Sequence, residues 1–210
     1  MYESSEREVW NRRYVTRNPG EDFGQGAWSQ EWQDAVDLVR RGRALDLGCG
    51  RGFDTAELVE RGFAVTAIDW SSAAVEIARR RNPSGETLVA DVRNLPRKVK
   101  GPFQVVLANL SLHYFDRPET EAVFATIVDL LAPGGMFLAR LNAEDDFGAP
   151  ADATAWKLVE VEGVRRQFFN ESKIRGLLDG ALTILCLQKV TTGRFGRPKS
   201  LYEVVAQKEA

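Results

Sequence analysis

The run Arg43-Ala44-Leu45-Asp46-Leu47-Gly48-Cys49-Gly50-Arg51-Gly52 constrains this chain more than any other stretch. It reads as a short buried strand, a glycine loop, and a helix beginning near Phe53. Glycines at 48, 50 and 52 let the backbone come close to a ligand, since no Cβ blocks the approach and positive φ costs little. The helix behind the loop directs unpaired N–H groups and the positive end of its dipole at whatever sits there. A carboxylate or phosphate suits that place. The loop alone leaves open a second reading, a tight strand–helix turn with no ligand.

On either side of the loop the pattern sorts into helices and strands. Residues 4–41 read as helical pieces around a loop, with Trp10 and Tyr14 on one face and Asn18-Pro19-Gly20 breaking the first helix. Phe63 to Ile68 is an apolar strand closed by Asp69, as expected for a strand buried on both faces. Ser71 caps the next helix. Thr87 to Asp91 and Phe103 to Asn109 are further strands. Asp116-Arg117-Pro118-Glu119 is a capping box with proline in the first turn. Its helix is expected to stop at Pro133-Gly134-Gly135, with Met136 to Leu141 as the fifth strand. Residues 142–160 read as a surface excursion, and Asn170 caps a last helix. Leu182 to Val190 and Leu201 to Ala206 close the chain. About ten residues separate these two strands, too few for a helical crossover, so they should pair antiparallel.

Alternating strands and helices predict an α/β fold: a doubly wound, mostly parallel sheet of seven strands with an antiparallel C-terminal strand. Such sheets bind ligands beyond the carboxyl ends of their strands. Asp46, Asp69, Asp91 and Asn109 fall at or near those ends. Composition narrows the partners. A net charge of −2 gives no general attraction to nucleic acid or anionic membrane. The two cysteines, Cys49 and Cys186, give neither a disulfide framework nor a zinc spacing. No metal is expected. The polar, acidic start does not read as a signal peptide, and no apolar run reaches membrane-spanning length. A cytoplasmic protein is expected. The acid at 69 follows the glycine loop at the interval that serves a ribose diol, so a dinucleotide-dependent oxidoreductase is a rival. That class wants G-x-G-x-x-G, whereas Gly48, Gly50 and Gly52 give G-x-G-x-G.

Asp46-Leu47-Gly48-Cys49-Gly50-Arg51-Gly52 resembles the first motif of class I S-adenosylmethionine-dependent methyltransferases, which have a Rossmann-like fold. Asp69 matches that family's ribose-binding acid, Ala90-Asp91-Val92 its adenine loop, and Phe103 to Tyr114 its fourth motif. Leu131-Ala132-Pro133-Gly134-Gly135 matches the turn before strand five. Gly50-Arg51-Gly52-Phe53-Asp54 and the ending Leu201 to Ala206 are similar to small bacterial enzymes of the tellurite-resistance, thiol and thiopurine type. The resemblance implies S-adenosylmethionine as cofactor and transfer of its methyl group to a small-molecule O, N, S or oxyanion nucleophile. A non-catalytic S-adenosylmethionine-binding protein stays open.

The same resemblance assigns roles. Gly48, Cys49 and Gly50 would hold the methionine carboxylate, with Tyr14 adding a hydroxyl, and Asp46 would take the ammonium. Asp69 would accept the ribose hydroxyls, Trp70 would face the adenine, and Asp91 and Val92 would read its edge. Asn109 completes the cofactor set. Cys49 reads as a small filler rather than a nucleophile. His113, the one histidine, is a candidate general base, with packing as the competing role. Trp28, His113, Tyr114, Arg194 and Arg197 are candidates for the acceptor wall. Residues 1–41 are expected to form a helical lid over a cofactor domain at 42–210. The protein is expected to be a monomer or homodimer without nucleic-acid or membrane partners.

Overall fold

A computed structural model describes residues 2–16, 28–39, 41–193 and 198–210. It begins with helix α1 (Tyr2–Thr16) and helix α2 (Gln30–Leu38). Then come strand β1 (Arg43–Leu47), helix α3 (Phe53–Glu60), strand β2 (Ala64–Asp69), helix α4 (Ser72–Arg81) and the short strand β3 (Glu86–Val89). Strand β4 (Phe103–Asn109), helix α5 (Arg117–Leu130) and strand β5 (Leu131–Asn142) follow. A hairpin of β6 (Val159–Val161) and β7 (Val164–Arg166), helix α6 (Glu171–Leu178), and strands β8 (Thr183–Thr192) and β9 (Lys199–Gln207) complete the chain.

Seven strands form one sheet in the order β3-β2-β1-β4-β5-β9-β8. Strands β1 to β5 pair in parallel, and β9 inserts antiparallel between β5 and β8. This is the doubly wound, mostly parallel sheet that the alternation predicts. It is not the pair of parallel halves that a dinucleotide-binding domain builds. Side chains alternate along β4: Val106 and Ala108 pack with α5 and α6, while Val105 and Leu107 pack with α2. Both faces are covered, which is why the strands are apolar almost throughout.

The caps act as the sequence implies. Ser71 Oγ accepts from Ala74 N, Asn170 caps α6, and Asp116 with Glu119 forms the capping box of α5. Two expectations change. Pro133-Gly134-Gly135 does not stop α5, which ends at Leu130; the three residues are instead looped out within β5. Leu131 pairs with Phe103 and Met136 with Val105, so the ladder closes around the extra residues, with Gly134 at φ +72°. The surface excursion expected over 142–160 leads into a hairpin at 159–166 that was not expected. Glu162 and Gly163 have φ of 55° and 77°, a two-residue turn with both centres left-handed.

A buried ion pair fixes the insertion of β9. Arg140 and Glu203 face each other across β5 and β9, with Nε and a terminal nitrogen donating to Oε2 at 2.8 and 2.7 Å. The guanidinium also lies 4.5 Å from the Trp32 ring centre, joining α2 to the same point. Glu203→Leu leaves a buried guanidinium without its carboxylate, and a loss of about 3–5 kcal/mol is expected in urea unfolding. The double variant with Arg140→Met should recover most of it, because a dry apolar pair replaces the charges.

Candidate functional site

The carboxyl ends of β1, β2 and β4 open onto a cleft of about 320 Å³. The register decides which polar residues reach it. Asp46 pairs with Ala67 on β2 and with Leu107 on β4, two residues short of Asp69 and Asn109. Asp46 therefore sits one step inside the sheet and is buried, with Thr55 Oγ1 donating to its Oδ2 at 2.6 Å. Burial first, then the nearby Asp54 carboxylate, hold its carboxyl well above the usual range. Asp69 reaches the cleft wall.

Asp69 joins the pieces of the site. Its Oδ2 accepts from Gly50 N at 2.9 Å and its Oδ1 from Ser71 N at 2.8 Å, so one carboxylate ties the glycine loop to the start of α4. Each oxygen keeps a second lone pair. Burial raises its pKa to about 6 against the pull of those two N–H groups. Gly48 and Cys49 N–H donate to Ile68 O, which holds the loop against β2. The loop is packed tightly: a Cβ on Gly48 would run into Ser111, and one on Gly50 would meet the Tyr14 hydroxyl at 2.9 Å. Gly48 is required by space as well as by φ, and Gly50 by its φ of 52°, since the Tyr14 tip could shift aside.

At the far side, Asp91 is gripped by its neighbour. Arg93 donates to it through N, Nε and a terminal nitrogen, the last at 2.6 Å, and also reaches Glu119 at 2.7 Å. Burial pushes the Asp91 carboxyl up, but the Arg93 hydrogen bonds outweigh it and hold it below the usual range. Trp70, Ala90 and Val92 line the wall beside it.

Helix α1 roofs the cleft with Glu6, Trp10 and Tyr14, one face of the helix at four-residue spacing. Asn11 Oδ1 accepts from Ser71 Oγ at 2.7 Å, which seats α1 on α4. The hairpin completes the roof. Arg165 Nε donates to Glu6 at 2.9 Å, and Arg13 donates to Glu162 O at 2.6 Å.

Of the residues singled out from the sequence, Tyr14, Gly48, Asp69, Trp70, Asp91, Val92 and Tyr114 line the cleft, and Gly50 lies against Tyr14. Others lie elsewhere. Asp46 is beneath the loop. Cys49 packs with Ala67 and Ala78, its thiol pushed up by burial, as a filler would be. Asn109 donates to Asp54 Oδ2 at 2.9 Å rather than lining the cleft. Trp28 is core: it stacks edge-on against Trp32 and its Nε1 donates to Asp54 Oδ1 at 2.9 Å. His113 is 2% exposed beneath Tyr114, at 4.3 Å between ring centres, and not on the lining. Arg194 and Arg197 lie outside the described residues. The sequence reading missed Glu6, Arg93, Phe115, Leu158 and Arg165. The one usable signal was the hairpin pattern Val159-Glu160-Val161-Glu162-Gly163-Val164, a turn dipeptide between alternating apolar residues. No group of three or more metal-ligating side chains occurs among the described residues.

The sheet order, the glycine loop and an acid at the end of β2 define a class. Residues 44–135 match the family model described as a methyltransferase domain. The chain is 31% identical over 143 residues to trans-aconitate 2-methyltransferase of Rhizobium leguminosarum bv. trifolii, covering 63% of this chain and 54% of that protein. It is 26% identical over 152 residues to malonyl-[acyl-carrier protein] O-methyltransferase of Enterobacter lignolyticus, covering 72% and 59%. The chain thus spans little more than half the length of these curated relatives. Among solved structures, 1,6-didemethyltoxoflavin-N1-methyltransferase of Burkholderia thailandensis, with 1,6-didemethyltoxoflavin and S-adenosylhomocysteine bound, has a TM-score of 0.72. Its identity is 25%, over all of this chain and 89% of that one. The fold is the Rossmann-like one of class I S-adenosylmethionine-dependent methyltransferases, and residues 44–135 carry the match to a methyltransferase domain.

The Asp69 carboxyl is expected to titrate near pH 6 in the free protein. The native state then holds this proton more tightly than the unfolded chain, whose carboxyl titrates near 3.8. The group therefore costs stability as pH rises from about 4 to about 6, by roughly 2–3 kcal/mol. Urea unfolding across that window should show a smaller decline in Asp69→Asn than in the native protein, the remainder belonging to Asp46.

Proposed function

We propose that the protein transfers the methyl group of S-adenosylmethionine to a small-molecule acceptor seated under α1 and the hairpin. The observation that carries this is Asp69: a carboxylate with a spare lone pair on each oxygen, at the cleft end of β2, tied to the glycine loop. A ribose diol offers two O–H donors to it. Trp70 and the Ala90–Val92 stretch suit a flat base, and Gly48 and Tyr14 suit the amino-acid end. The cofactor supplies a methyl group already activated by its sulfonium. The protein's part is alignment and exclusion of water, and alignment alone can be worth about 7–11 kcal/mol.

Two of the curated relatives are named as a malonyl-[acyl-carrier protein] O-methyltransferase and a trans-aconitate 2-methyltransferase, and the Burkholderia protein as an N1-methyltransferase. The shared chemistry is methylation of a small nucleophile. Because His113 is buried off the lining, the reading needs no histidine base: the acceptor proton leaves to water or to a cleft carboxylate. Of the lid expected over 1–41, this reading keeps helix α1; α2 packs its Trp32 and Val36 into the core and belongs with the cofactor domain. No described helix is long and apolar enough to cross a membrane. A cytoplasmic monomer or homodimer fits the reading.

Calorimetry should show S-adenosylmethionine and S-adenosylhomocysteine binding at micromolar levels, and release of the latter over a panel of nucleophiles tests turnover. Heat with a nicotinamide dinucleotide and none with either ligand would overturn the reading. Asp69→Ala should weaken binding by ~2–4 kcal/mol. The ionised form is the better acceptor, so affinity should be full above pH 7 and fall as pH drops through about 6. Asp69→Asn should show no such fall.

The lid makes its own prediction. Amides of α1 should exchange quickly in the free protein and slowly once S-adenosylhomocysteine is bound. Equal protection in both states would leave α1 as a fixed part of the core.

A further inference from the structure

The cleft is longer than the part assigned to the cofactor. Beyond Asp69 and Trp70 it continues between α1, the end of β4 and the hairpin. There Trp10 and Tyr114 meet edge to face, with ring centres 5.5 Å apart and planes at 78°. Phe115 and Leu158 lie on the same stretch of lining. Two rings at a near right angle make a corner. A flat ring set into it stacks on one face and turns its own edge to the face of the other, the two arrangements that aromatic quadrupoles favour. A branched, flexible acid gains neither.

Charge points the same way. The lining on this side carries three carboxylates, Glu6, Asp116 and Glu119, against the guanidiniums of Arg93 and Arg165. Both guanidiniums are already ion-paired, Arg165 with Glu6 and Arg93 with Asp91 and Glu119. Asp69 adds a further negative charge. An incoming polyanion would face this surplus in a half-enclosed space and would have to displace an existing carboxylate from its arginine. A neutral or cationic ring faces neither cost, and a cation is drawn to the ring faces as well.

We propose that this end of the cleft is an aromatic corner that takes one flat, uncharged or cationic ring as methyl acceptor and rejects polycarboxylates. The inference rests on the methyltransferase reading and narrows it. Trp10 and Tyr114 set the shape that is accepted. Glu6, Asp116 and Glu119 set the sign of charge.

Binding tests it without turnover. The protein is first saturated with S-adenosylhomocysteine. Tryptamine, catechol and 7-hydroxycoumarin are then titrated by ligand-observed NMR, with trans-aconitate as the polyanion. At least one ring compound should bind tenfold or more tightly than trans-aconitate. Trp10→Leu and Tyr114→Leu should each weaken that ring at least tenfold, with S-adenosylhomocysteine affinity within threefold of the native protein. Because Trp10→Leu also touches the seating of α1, Asp116→Asn, whose amide oxygen can still cap α5, gives an independent arm. It should raise trans-aconitate binding at least threefold. Tighter binding of trans-aconitate than of every ring compound overturns the proposal. So does ring affinity that ignores both aromatic variants. Failure of S-adenosylhomocysteine to bind at the outset would instead overturn the methyltransferase reading itself.

Discussion

The site depends on one carboxylate holding two backbone N–H groups. Asp69 bonds Gly50 N on one oxygen and Ser71 N on the other. The first bond fixes the glycine loop, and the second fixes the turn into α4. Ser71 in turn caps α4 and donates to Asn11, so the seat of α1 follows from the same residue. Two short bonds, from Ser71 N to Asp69 and from Ser71 Oγ to Asn11, run from the end of β2 to the roof of the cleft. Carboxylates that accept backbone N–H groups are strong anchors, and this one is buried, where such bonds are strongest. Burial also lifts its pKa toward 6, so the anchor weakens as a charged acceptor in mild acid.

Three aspartates lie close beneath and beside the loop, and their environments separate their roles. Asp46 is sealed under the loop with Thr55 and tends to keep its proton. Asp54 joins Trp28 and Asn109, which ties the first turn of α3 to the segment before α2 and to the end of β4. Only Asp69 meets the cleft. Beyond them, Asp91 is kept ionised by Arg93. The cofactor end is therefore a rigid frame of acids with fixed partners. In the proposed reading the acceptor end is built from α1 and the hairpin, which meet through Glu6–Arg165 and Arg13–Glu162. Such a division lets one sheet serve many acceptors by changing what lies above it.

Much of this was legible in the residues because the signals are local. A cap is decided by one side chain and the N–H three residues on, so Ser71, Asp116 and Asn170 could be read directly. The strands were legible because each is an apolar run with turn residues at its ends. The same local reading misjudged Pro133-Gly134-Gly135, since a breaker triplet looks alike whether it ends a helix or loops out of a strand. It also passed over the hairpin, whose strands are only three residues long.

The sequence by itself determined the parallel sheet, the glycine loop, the caps and the methyltransferase motifs, since each is written in neighbouring residues. The tertiary structure decided which of the polar residues at the sheet edge face a ligand. Asp46 and Asp69 look equivalent along the chain, but a register offset of two residues buries one and exposes the other to the cleft. Trp28 and Trp10 look equivalent as aromatics of the opening segment, yet one stacks on Trp32 in the core and the other meets Tyr114 over the cleft. Register and packing partners are set by residues far apart in the chain. No local pattern encodes them, and they exist only once the sheet has closed.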